Sequence, residues 1–115
     1  MTAPPRLELR PDYSITRVIR GGWQLAGGHG QVDREEAVLD LMAFAEAGIL
    51  TFDCADIYTG VEELIGAFRS TYAERHGQAA LAGVRVHTKL VPDLSRLATC
   101  DRAYIRGIVD TSLKR

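Results

Sequence analysis

An α/β fold made of successive strand and helix units is the class that this 115-residue sequence predicts. Three observations carry it. Short strand-like runs alternate with helix-like runs along the chain, and the strand ends near Arg20, Asp53 and Lys89 fall 33 and 36 residues apart. The composition, 46% hydrophobic and 25% charged, is that of a globular chain able to bury a core. A spacing of this size suits a parallel βα array, since about 250 residues for eight units leaves about 31 for each. Doubly wound sheets use the same units, so the period alone leaves both a sheet and a barrel open.

Taken in order, residues 1–13 hold three of the four prolines and read as a lead-in segment, with a short strand over residues 7–10. Residues 14–19 alternate β-branched and polar side chains before Gly21 and Gly22, which predicts the first strand of the array. Asp33 is placed to cap a helix, with Glu36 as its capping-box partner and an apolar stripe of Ala37, Val38, Leu41, Met42, Phe44 and Ala45. Gly48 stops that helix, and residues 49–53 form a short apolar strand of the kind buried on both faces. Val61, Leu64, Ile65, Phe68 and Tyr72 mark one face of a second helix, Gly77 and Gly83 punctuate, and residues 84–88 form a third strand. After Pro92, Thr99 or Asp101 caps a third helix with Tyr104, Ile105, Ile108, Val109 and Leu113 on one face. Residues 14–115 thus form the array.

Charge and cysteine content narrow the function classes. A net charge of −1 provides no basic field for nucleic acid or an acidic membrane. Cys54 and Cys100 stand far apart with no Cys/His cluster spaced for a metal, so no metal is expected and a reducing cytoplasm is the simpler location. The N-terminus has no apolar core of a signal peptide, and no apolar run approaches the ~18 residues of a membrane span. Residues 21–30 are glycine-rich, but Trp23 interrupts them and they do not match the G-x-G-x-x-G dinucleotide fingerprint.

In parallel βα folds, ligands bind beyond the carboxyl ends of the strands. Those positions hold Gly22 and Trp23 after the first strand, Asp53 and then Tyr58 after the second, and Lys89 after the third. A tyrosine with an ordinary pKa of about 10 exchanges protons poorly near neutrality unless a cation stabilises its phenolate. Lys89 is placed to be that cation, with Asp53 holding it charged. A structural Asp53–Lys89 salt bridge beside a rim aromatic fits the spacing equally well.

The run Thr51-Phe-Asp53-Cys-Ala-Asp56-Ile-Tyr58-Thr-Gly-Val-Glu62-Glu-Leu-Ile-Gly66, followed by His87-Thr-Lys89, closely resembles the second and third βα units of the aldo-keto reductases, a family of eight-stranded βα barrels. The matching residues lie in order across residues 21–115. The resemblance implies metal-free, NADPH-dependent reduction of a small aldehyde or ketone, with NADH as an alternative cofactor. By the same resemblance Tyr58 is the general acid, Lys89 lowers its pKa, Asp53 supports Lys89, and Gly22, Trp23 and Asp53 contact the cofactor. The loop from Gly22 to His29 matches the family's first rim loop.

Departures from the family pattern qualify this. The family's histidine at the end of the fourth strand has no counterpart, and His29, His76 and His87 fall at positions that do not replace it. Cys54 stands where the family usually has a small hydroxyl residue and is expected to pack; Cys100 precedes a helix N-terminus. Glu62 and Glu63 begin the second helix, where one of them favours the helix dipole and stays solvated. The expected fold is therefore a partial (β/α)8 TIM barrel that stops within its third helix and is inactive by itself. Two other readings remain: a short inactive barrel piece that self-associates or docks through open strand edges, and a Schiff-base lyase using Lys89.

Overall fold

The helices form where local signals start and stop them, as the computed structural model, which describes residues 2–27 and 30–115, makes plain. Helix α1 (Arg34–Glu46) is capped by Asp33, whose carboxylate accepts the Glu36 amide at 2.9 Å. It ends in a Schellman arrangement: the Gly48 amide donates to Ala45 at 2.9 Å and the Ile49 amide to Phe44 at 3.0 Å, with Gly48 at φ 93°. That left-handed turn sends the chain directly into strand β4 (Thr51–Asp53). Helix α2 (Val61–His76) has Glu62 and Glu63 in its first turn and Arg75 and His76 in its last, the order its dipole favours. Both Arg75 and His76 reach Glu46 of α1, at 2.8 and 3.0 Å.

Strands β3 (Arg20–Gly21), β4 and β5 (Arg85–His87) form a parallel sheet in that order, with Gly21 opposite Asp53 and Asp53 opposite His87. Phe52 and Cys54 lie against α1 and α2 and are buried with Leu41, Met42, Ala45, Val61, Ile65, Phe68, Tyr72 and Val84. The Phe52 and Phe68 rings tilt against each other with centroids 4.9 Å apart. The predicted core faces of α1 and α2 are thus the observed ones, except that Val38 and Phe44 are only partly buried.

The run over residues 14–19 does not form the first strand of the parallel sheet. Strand β2 (Tyr13–Thr16) instead pairs antiparallel with β1 (Arg6–Arg10), in a hairpin that crosses the expected boundary at residue 13. The physical reason is that alternation of β-branched and polar residues suits an antiparallel partner as well as a parallel one. Thr16 then turns the chain by donating its hydroxyl to the Val18 carbonyl at 2.8 Å, and only Arg20–Gly21 joins β4. The hairpin is fastened to the sheet where the Thr16 amide donates to the Thr51 hydroxyl at 2.9 Å and where the Tyr13 hydroxyl meets His87 Nε2 at 2.7 Å.

Beyond a one-turn helix α3 (Gln78–Leu81) and a 3-10 turn at Leu94–Thr99, helix α4 (Arg102–Lys114) is capped by Asp101, which accepts the Tyr104 amide at 2.8 Å. Its apolar face exists as expected but is not buried: Ile105 and Val109 are exposed, and Leu113 is 79% exposed. The sheet is open at both edges and no closed barrel exists among the described residues. No helix among them is long and apolar enough to cross a membrane.

Candidate active site

Backbone pairing continues past the last residue of β4 and sets the site. The Cys54 amide donates to the His87 carbonyl at 2.7 Å and the Asp56 amide to the Lys89 carbonyl at 3.0 Å, so the chains carrying Asp53 and Lys89 leave the sheet side by side. The chain then folds into two tight turns, with the Tyr58 amide donating to Ala55 at 3.0 Å and the Val61 amide to Tyr58 at 2.9 Å. These turns hold Tyr58, half-buried, at the entrance to α2.

The three side chains meet. Lys89 Nζ donates to both oxygens of Asp53 at 2.9 Å and lies 5.1 Å from the centre of the Tyr58 ring. The hydrogen bond to Asp53 holds the Lys89 ammonium above the ordinary lysine pKa against the opposing effect of burial, and the Asp53 charge and Tyr58 add smaller upward contributions. Asp53 and Lys89 both remain substantially exposed, so the group is open to an incoming molecule.

Gly22 and Trp23 reach the same end of the sheet on the turn after β3. A Cβ at Gly22 would lie 2.7 Å from the Asp53 carbonyl oxygen and 3.0 Å from Val61 Cγ1. Glycine at this position lets the first rim loop lie on the backbone of the residue that holds Lys89. Trp23, on a 3-10 turn (Trp23–Leu25), is 56% exposed.

A family model described as "Aldo/keto reductase family" matches residues 17–115. The chain belongs to the aldo/keto reductase family. No individually curated protein matches it. Aldo/keto reductases are TIM barrels, are generally nicotinamide-dependent and act on small carbonyl compounds. In this aldo/keto reductase chain the observed sheet accounts for three parallel strands and their helices.

The remaining expected residues fall as follows. His87 is satisfied by Tyr13, and His76 by Glu46, while His29 lies outside the described residues. Cys54 is fully buried in the core, and that burial pushes its thiol above the ordinary value. Glu63 stays partly exposed, whereas Glu62 does not: it is 7% exposed and bonded to Thr88, Ser112 and Arg115. Thr88 and Asp56 stand within the family-like runs of the sequence, but the sequence reading gave neither a role. A usable signal for Thr88 was its place directly before the rim lysine, where its hydroxyl reaches Glu62 at the start of α2. Among the described residues no group of three His, Cys, Asp or Glu is placed to hold a metal ion.

Proposed function

We propose that this chain carries the proton-transfer end of a nicotinamide-dependent reductase, in which Tyr58 gives its hydroxyl proton to the carbonyl oxygen of a small aldehyde or ketone. The observation that carries this reading is the Lys89 ammonium, 2.9 Å from both Asp53 oxygens and 5.1 Å from the Tyr58 ring centre. The rim residues fit the nicotinamide end of such a cofactor. Trp23 offers an exposed indole, and Gly22, Trp23 and Asp53 would hold that end. The cofactor, when bound, supplies a hydride to the carbonyl carbon and is itself oxidised by two electrons. Family resemblance favours NADPH, with NADH as the alternative.

The work of the chain's own residues follows from charge. As the carbonyl carbon gains hydrogen, its oxygen becomes anionic and takes the proton from Tyr58; the Tyr58 O–H bond breaks and the new alcohol O–H forms. The Lys89 ammonium beside the ring stabilises the charge left on the phenolate oxygen. Asp53 keeps Lys89 protonated and aimed. In alcohol oxidation the steps reverse and Tyr58 acts as base. A raised lysine pKa opposes Schiff-base chemistry, which needs the neutral amine.

The test uses the native polypeptide with reduced nicotinamide deuterated at the transferred position and a simple aldehyde. Deuterium on the carbinol carbon is the expected result; none with either NADPH or NADH overturns the reading.

The same reading takes β3, β4 and β5 as three strands of an eight-stranded barrel in the cytoplasm. It is supported by unpaired edges at Arg20–Gly21 and Arg85–His87 and by the uncovered face of α4. Those same uncovered surfaces favour a second reading, an inactive piece that self-associates or docks on a relative. The intact mass of the polypeptide from its own source separates the two: two to three times 12.6 kDa supports the barrel, and 12.6 kDa supports the second reading.

A further inference from the structure

Glu62 touches none of the groups that exchange the proton, yet it is the one charged side chain buried among the described residues. A charge is kept in such a place only when it is paired and fully hydrogen-bonded. Its Oε1 accepts the Thr88 hydroxyl at 2.6 Å and the Ser112 hydroxyl at 2.8 Å, while Oε2 accepts Arg115 Nη1 at 3.0 Å. Thr88 immediately precedes Lys89 just beyond β5, and its hydroxyl reaches Glu62 while the Lys89 ammonium reaches Asp53. Glu62 itself sits in the first turn of α2, four residues after Tyr58. It therefore ties the strand end that bears Lys89 to the helix that follows Tyr58.

A second tie lies alongside. The Asp56 amide donates to the Lys89 carbonyl at 3.0 Å, and Asp56 Oδ1 accepts the Val91 amide at 3.0 Å. Arg115 Nη1 also donates to the Asp56 carbonyl at 3.1 Å, which joins the two ties. Asp56 fixes the backbone at and after Lys89, and Glu62 grips the side chain immediately before it.

We propose that Glu62 is a positioning residue: by accepting the Thr88 hydroxyl it sets the backbone of Lys89 so that the ammonium rests on Asp53 beside Tyr58. This rests on the proton-transfer reading above. Without the Thr88 anchor the strand end moves and Lys89 loses its bidentate contact. The titratable groups facing Lys89 are Asp53 and Tyr58, so loss of that contact appears directly in the lysine's own titration.

Lys89 and Lys114 are the only lysines in the sequence, so both Nζ signals can be followed by NMR in the full chain labelled with 13C,15N-lysine. Thr88→Val removes the hydroxyl at nearly constant volume, Thr88→Ser keeps it, Glu62→Met removes both acceptor oxygens, and Asp53→Asn reports the pair itself. Circular dichroism at each pH confirms retained helix. Thr88→Val and Glu62→Met should shift the Lys89 midpoint down toward 10.5, Thr88→Ser should leave it raised, and Lys114 should not move. If Glu62→Met unfolds, the comparison of valine with serine at position 88 decides. An unmoved Lys89 midpoint in folded Thr88→Val, with Asp53→Asn lowering it, overturns the positioning role alone. Serine failing to restore the midpoint overturns it also. If Asp53→Asn leaves the midpoint unchanged, the lysine–aspartate pair is not formed, and the proton-transfer reading falls with the positioning role.

Discussion

Gly22 shows how a single missing Cβ serves the site. Its backbone angles are ordinary, with φ −98°, so the need for glycine comes from closeness to the Asp53 carbonyl rather than from conformation. Gly22→Ala should cost about 1–3 kcal/mol, the range for forced overpacking against rigid backbone. Urea unfolding should show it as a lower midpoint at unchanged slope, and an unchanged midpoint would show that the loop does not lie on Asp53. Glu62 has a pH signature of its own. Burial alone would raise its carboxyl, but hydrogen bonds from Thr88, Ser112 and Arg115 prevail and hold it below 4.5. A carboxylate lowered on folding contributes stability that is present above its unfolded value and lost as pH falls through the folded one. Acid unfolding of Glu62→Gln should therefore be shallower below 4.5 than that of the parent chain, and identical acid limbs would contradict this. That Asp53, Tyr58 and Lys89 come together was legible in the sequence, because Asp53 ends one strand, Tyr58 follows it five residues later and Lys89 follows the next strand. The burial of Glu62 was not, since a glutamate in a first helical turn is ordinarily solvated and its Ser112 partner lies 50 residues away.

Helices declare themselves locally and strands do not. The Asp33 cap and the Gly48 stop of α1 depend on neighbours within a few residues, and the sequence pattern located both. Removing the cap with Asp33→Ala should cost about 1 kcal/mol by denaturant unfolding, and no change would mean that Asp33 does not satisfy the first turn. Strand pairing depends on distant partners. Residues 14–19 carry a pattern that fits either direction of pairing, and the choice of β1 as partner is made by tertiary contacts at Thr51 and His87. The apolar face of α4 was legible as a face, but helical periodicity says nothing about what lies opposite, and in this structure Leu113 meets solvent.

The whole molecule is more spread than a closed domain of its length. Its radius of gyration is 15.3 Å, against about 13 Å expected for a compact domain of this size. The principal extents are 49 × 39 × 23 Å, a slab with a sheet open at both edges. Within that slab the end of the sheet bearing Asp53 and Lys89 is nevertheless firmly tied, because four hydrogen bonds involving Cys54, Asp56 and Glu62 converge on the segment from His87 to Val91. The family match covers residues 17–115, and the proton transfer proposed for that end of the sheet rests on Tyr58. The most direct measurement is turnover of the native polypeptide with NADPH and a simple aldehyde, compared with its Tyr58→Phe variant. Loss of the hydroxyl should lower turnover about 10²–10⁴-fold, the usual worth of a general acid, while cofactor affinity stays nearly the same. Unchanged turnover would remove Tyr58 from proton transfer and leave Asp53 and Lys89 as a structural ion pair.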